Sequence, residues 1–155
     1  MIANLIKENR SCRRFYQDYA LDLATLKGLI DLARLSASAA NLQPLRYVLS
    51  CNDKKNDQIF SCLKWAGYLK DWPGPQEGER PSGYVIIMVN AKELSEWTGY
   101  DVGIASQSIL LGAREKGLAG CMLGAVDRKK LKDLLDIPEQ FKILLVIAVG
   151  KPKEK

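Results

Sequence analysis

Three arginines, a serine and a cysteine are packed into the run Arg10-Ser11-Cys12-Arg13-Arg14-Phe15. Guanidinium groups match phosphate oxygens and anionic ring edges bidentately, and a hydroxyl between them adds a neutral hydrogen bond. A second group is Ser38-x-x-Asn41-x-Gln43-Pro44. Two amides at that spacing can present donors and acceptors the same way from an extended segment, which suits the mixed edge of a heterocycle. A third is Gly117-Leu-Ala-Gly120-Cys-Met122-Leu123-Gly124-Ala. Its glycines allow close backbone approach to a flat ligand and leave N–H groups free as donors. Taken singly, the first two also suit a solvated basic helix end and a polar loop capping a helix. The third fails as a dinucleotide fingerprint, because the G-x-G-x-x-G spacing is absent and it follows a helix.

The composition narrows the chemistry further. The chain contains no histidine, so a Ser-His-Asp or Cys-His nucleophile and any imidazole-dependent metal site are impossible within it. Cys12, Cys51, Cys62 and Cys121 are far apart with no C-x-x-C pair, and read as small buried hydrophobes rather than a redox dithiol or metal knuckle. No metal is expected. The net charge is +5, from 23 Lys+Arg against 18 Asp+Glu, and is scattered, which gives little support to a nucleic-acid-binding surface. The Arg128-Lys-Lys130 run reads as the solvated flank of a helix. No apolar run approaches the roughly 20 residues of a membrane span, and no signal peptide is visible. The expectation is one cytoplasmic domain, residues 1–155, whose reactive electronics belong to a bound cofactor.

The elements that must position these groups follow from periodicity. Ala3–Glu8 is a short helical stretch. Asp22 caps a helix that runs to about Leu35 on the stripe Leu23, Leu26, Leu29, Ile30 and Ala33. Leu45–Cys51 is a strand, Asn52–Asp57 a polar turn, and Gln58–Leu69 a helix. The Pro/Gly-rich stretch from Asp71 to Gly83 is long enough for a lid or binding wall. Gly83–Asn90 is apolar throughout, as a strand buried on both faces would be. Gly99–Lys116 is predicted as the longest helix, capped by Thr98 or Asp101 and ended by Gly117; its apolar residues cover more than one face, so it is core or buried against another subunit. Asp127 caps a helix through Leu135, and Lys142–Gly150 is the last strand before a polar end. Strands separated by helices give an α+β (α/β layered) domain.

Together the motifs resemble the nitroreductase family of flavin-dependent oxidoreductases over nearly the whole chain. Arg10-Ser11-x-Arg13-x-Phe15 is similar to the family's opening R-S-x-R-x-F, and Ser38-Ala-Ala-Asn41-Leu-Gln43-Pro44 to its S-x-x-N-x-Q-P-W, with Leu45 in place of the tryptophan. Asp101-x-Gly103-x-Ala105, Leu110-Leu111-x-Ala113, Gly117-Leu118 and the closing Val149-Gly150-x-Pro152 follow the family pattern in order.

The resemblance implies a nitroreductase-like fold, a mainly antiparallel sheet flanked by helices, completed as a homodimer that holds FMN noncovalently between its subunits. It implies NADH or NADPH as reductant and a small, flat electron acceptor such as a nitroaromatic or quinone, with ping-pong turnover. By the same resemblance, Arg10 and Ser11 bind the phosphate and ribityl end, and Arg13 the pyrimidine edge. Ser38, Asn41 and Gln43 contact the isoalloxazine or ribityl groups, often from the partner. The Met122-Leu123-Gly124 backbone faces flavin N5, with Gly124 as donor and the catalytic contact. Trp65, Tyr68 and Trp72 are candidates for a stacking wall at the substrate mouth. Family members often continue past G-x-P with a tail that adds a basic phosphate ligand; this chain ends at Lys155. The competing readings are a flavin or small-ligand binding module without turnover and, more weakly, a basic nucleic-acid-binding domain.

Overall fold

The computed structural model describes residues 1–154, and Lys155 lies outside them. Among the described residues, the helices are α1 (Ile2–Glu8), α2 (Leu23–Leu35), α3 (Asp53–Phe60), α4 (Thr98–Glu115) and α5 (Arg128–Leu134); the strands are β1 (Phe15–Tyr16), β2 (Leu45–Ser50), β3 (Gly83–Asn90), β4 (Ala119–Leu123) and β5 (Phe141–Pro152). All the strand pairings are antiparallel, in the order β1-β5-β3-β2, with β4 also on β5. β3 runs between β2 and β5, which explains why its sequence carries no polar face.

Alternation along β3 divides the core in two. Tyr84, Ile86 and Met88 face Ile59, Trp65, Leu131 and Phe15 on the side of α3 and α5. Val85 and Ile87 face Leu26, Leu29, Ile109 and Ala113 of α2 and α4. The period of two in a strand thus turns one apolar run into two interfaces. Asp22 caps α2 as expected, accepting from Thr25 N at 2.6 Å. Asp127 caps α5, accepting from Lys130 N at 3.1 Å.

Several local expectations are corrected. Residues 53–60, not 58–69, form α3: Asn52 caps it by accepting from Lys55 N at 3.1 Å. Residues beyond Phe60 are taken instead by tertiary pairing, with Leu63 bridged to Val126 and Lys64 N donating to Ala125 O at 2.9 Å. The N-terminus of α4 carries no side-chain cap; Thr98 accepts from Ser95 N, and Asp101 is used elsewhere. Gly117 ends α4 as expected, at φ +70, with Leu118 N donating back to Ala113 O at 2.9 Å. The glycine-rich stretch after it is a strand, β4, and two-residue β1 is too short to leave a pattern.

Gly120 sets how closely β4 lies to its neighbours. A Cβ there would stand 2.5 Å from Ala148 O and 2.7 Å from Leu110 Cδ2. By contrast, a Cβ on Gly28 in the middle of α2 meets nothing within 4 Å. Gly120→Val is therefore expected to lose at least about 2 kcal/mol, while Gly28→Ala gains about 0.5–1 kcal/mol from its helix propensity. Chemical denaturation of the two variants tests both signs.

Candidate functional site

The basic motif and the glycine strand meet. Cys12 N donates to Gly120 O at 2.9 Å, and Ser11 forms a bridge with Gly120, so Arg10–Arg14 runs beside the start of β4. Phe15, fully buried, fixes the far end of the motif. The resulting cavity, about 650 Å³, is lined by Arg10, Ser11 and Arg13, with Ala119 of β4 and Arg114 of α4. Among the described residues, the Arg10 side chain has no hydrogen-bond or ion-pair partner. Arg114 is held by Glu8, with Nη2 donating to Oε2 at 2.9 Å.

A second cavity of about 600 Å³ adjoins it, sharing Arg13 and Glu154 and adding Tyr68 and Trp72. The Arg13 guanidinium lies 5.6 Å from the Tyr68 ring centroid, and that of Arg14 lies 5.2 Å from Trp72. The suggested aromatic wall is therefore two residues rather than three. Trp65 is 5% exposed and belongs to the core, beneath Gly74 of the Pro/Gly-rich loop. The polar end of the chain packs here too. Arg13 N and Arg14 N both donate to Glu154 Oε1, and Lys153 Nζ donates to Glu79 Oε1 at 3.1 Å.

Ser38, Asn41 and Gln43 line neither cavity. Ser38 Oγ donates to Asp101 Oδ2 at 2.7 Å and accepts from Gln43 N at 3.0 Å, while Ala39 N donates to Asp101 Oδ1 at 2.9 Å. Asp101 is 5% exposed, a buried carboxylate whose role is to hold this loop. The loop has a left-handed backbone at Ala40, Asn41 and Gln43, a conformation non-glycine residues seldom adopt unless the surroundings impose it. The exposed side chains of Asn41 and Gln43 bond to each other at 2.8 Å. A small separate pocket beside the loop, about 120 Å³, includes Ser38 and Gln43.

Met122 is 48% exposed, Leu123 is buried, and Gly124 is exposed where β4 ends. A Cβ on Gly124 would meet nothing within 4 Å. Arg128 is not the free solvated flank its sequence suggested. Its guanidinium donates to Gly124 O at 3.2 Å, Val126 O at 3.4 Å, Ile143 O at 2.9 Å and Leu144 O at 3.2 Å. The last two carbonyls lie at the irregularity in the β3–β5 register, where β5 carries an extra residue. Nothing in local spacing signals this contact, since half of it spans strands that meet only in the fold.

Three of the four cysteines, Cys12, Cys62 and Cys121, are buried thiols. Burial, above all other influences, pushes the Cys12 thiol up to about 12, and also raises those of Cys62 and Cys121. No group of three or more Cys, Asp or Glu among the described residues could hold a metal ion. No helix there is long and apolar enough to cross a membrane.

Solved structures share this fold. A nitroreductase family protein of Clostridium novyi has a solved structure with TM-score 0.82 and 24% identity, covering 99% of this chain and 86% of its own. An FMN-dependent nitroreductase of Clostridium difficile matches at TM-score 0.80 and 20% identity, covering 100% and 89%. At those identities they establish the fold alone. In sequence, a Methanothermobacter thermautotrophicus protein whose name includes NAD(P)H nitroreductase is 28% identical over 160 residues, 99% of this chain and 78% of its own. The family model described as the nitroreductase family spans residues 6–151. With its motifs in order, its antiparallel sheet and that span matched, the chain belongs to the nitroreductase family.

Proposed function

We propose that the protein is a cytoplasmic, homodimeric FMN-dependent oxidoreductase that takes reducing equivalents from NADH or NADPH and passes them to flat acceptors such as nitroaromatics or quinones. The observation that carries this reading is the junction of Cys12 N with Gly120 O, which sets Arg10, Ser11 and Arg13 around a cavity of about 650 Å³. That volume is ordinary for a cofactor site. The guanidinium and hydroxyl donors of this cavity fit the phosphate of a flavin mononucleotide, while Gly124 lies outside both cavities, at the far end of β4, where a Cβ would meet nothing within 4 Å. When bound, FMN supplies two-electron hydride chemistry at N5, which no side chain of this chain provides.

The chain's own residues bind, orient and tune. Arg10 and Ser11 would hold the phosphate and ribityl end. Arg13 would supply a fixed positive charge at the pyrimidine edge, where negative charge accumulates on reduction. The Met122–Gly124 backbone would face N5 with the Gly124 N–H as donor, and Arg128 would hold that backbone through the Gly124 carbonyl. Ser38, Asn41 and Gln43 would complete the site from the partner copy. Their separation from the first two cavities supports this, as do exposed Trp97, Tyr100 and Ile104 around the start of α4. The FMN dependence of the Clostridium difficile relative and the nicotinamide in the Methanothermobacter name point the same way.

The purified protein should show a flavin absorption band, as isolated or after incubation with FMN, and NADH or NADPH should bleach it without oxygen. Colourless folded protein overturns the reading; a flavin that neither nicotinamide reduces leaves a binding module. Arg13→Ala is expected to weaken FMN about tenfold or more and to lower its midpoint potential, read by spectral titration and redox dye equilibration. Gly124→Val should keep its unfolding midpoint within about 2 °C yet lose flavin occupancy. Arg128→Gln should shift the bound flavin's visible spectrum and potential, with Arg128→Lys restoring part of both. Wild-type spectra in both Gly124→Val and Arg128→Gln would remove the end of β4 from the site.

A further inference from the structure

A different cavity, about 150 Å³, lies between α3 and the segment leading into β3. Asp53, Asn56, Asp57 and Phe60 recur at i, i+3, i+4 and i+7, so one face of α3 forms a wall. Arg80, Ser82 and Tyr84 form the facing wall. Arg80 Nε, Ser82 Oγ and Tyr84 Oη are all buried without a hydrogen-bond partner in the protein. Ser82 is 9% exposed and Tyr84 0%. Native interiors hold few unpaired polar atoms, and each one calls for a reason. Here three converge on one cavity, at a position where phenylalanine would fill the same space without a stranded hydroxyl.

The charges around the cavity define what would satisfy it. Burial raises the Tyr84 phenol above its ordinary value, so it stays protonated and able to donate at neutral pH. Both ends of the Asn56 amide are engaged, its oxygen accepting from Ser50 Oγ at 2.7 Å and its nitrogen donating to Ser82 O at 2.9 Å. Arg80 stacks 4.2 Å from the Phe60 ring centroid and approaches Asp57 at 3.6 Å. Unused donors, Arg80 Nε, Ser82 Oγ and Tyr84 Oη, therefore stand on one wall, and the exposed carboxylates of Asp53 and of Asp57, the latter shared with Arg80, stand on the other. A cavity of this size takes a solute of about six heavy atoms.

We propose that this cavity binds a small zwitterionic α-amino acid, glycine or alanine in size. Its carboxylate meets Arg80, Ser82 and Tyr84, and its ammonium faces Asp53 and Asp57. The site is separate from the proposed flavin site and does not depend on it.

Thermal unfolding and calorimetric titration of the full chain test this, with glycine, alanine, acetate, methylamine and leucine as probes. Glycine or alanine should raise the unfolding midpoint saturably, by about 2–4 °C. Acetate and methylamine, each carrying one of the two charges, should not, and leucine should be excluded by size. Tyr84→Phe should raise the midpoint of the free protein and weaken the amino acid about tenfold, with Ser82→Ala weakening it in the same direction. An unmoved midpoint with both glycine and alanine means a solvent-filled cavity and overturns the proposal. A response to acetate equal to that for glycine overturns it too, as does undiminished binding in both hydroxyl variants.

Discussion

The site rests on one close approach, that of β4 to β5 at Gly120. No side chain fits between its Cα, the Ala148 carbonyl and the Leu110 methyl group, so the backbone of β4 lies directly on its neighbours. The Gly120 carbonyl on its free edge then takes the Cys12 N–H. Gly150 plays a related part, since a Cβ there would stand 3.0 Å from the Phe15 ring. Two glycines thus hold the ends of an irregular basic segment against a rigid sheet. Arginine side chains on such a segment are oriented by the strands beneath them rather than by helix or turn geometry of their own.

The Ser38–Gln43 loop is held by a different means. Its left-handed residues would not persist in a free peptide, and a buried carboxylate that accepts both Ser38 Oγ and Ala39 N offsets their strain. Asp101 is thereby diverted from capping α4, an example of tertiary demand outweighing local preference. The same loop lies away from the arginine cavity of its own chain. The proposed two-copy site would reconcile that separation with the motif order of the chain, and the exposed aromatics at the start of α4 are a surface that such a pairing would bury.

Polar groups are distributed unevenly through the core. On the side of α2 and α4 the buried polar groups Thr98, Asp101 and Ser106 belong to α4, whereas the face toward α3 and α5 admits Cys12, Cys62, Cys121, Tyr84 and Trp65 among its apolar side chains. The buried thiols behave as small hydrophobes, raised far from the thiolate form by desolvation. The Tyr84 hydroxyl does not, because a phenol without a partner is a standing penalty that a thiol hardly incurs. Stability alone does not account for a tyrosine at that position.

Residue types and order determined a good deal here: the absence of histidine chemistry, the basic and glycine motifs, the caps at Asp22 and Asp127, the stop at Gly117, and β3 as a strand without a polar face. These are legible because they depend on contacts a few residues apart or on periodicity within one element. The tertiary structure alone decided that Arg10–Arg14 lies on β4, that Asp101 serves the Ser38 loop, that Cys62–Lys64 leave the helix for pairing with the segment after β4, and that Arg128 gathers four carbonyls. Each of those joins groups distant in the chain, and such contacts gain their energy only after the sheet has brought both partners together. No local window contains that information.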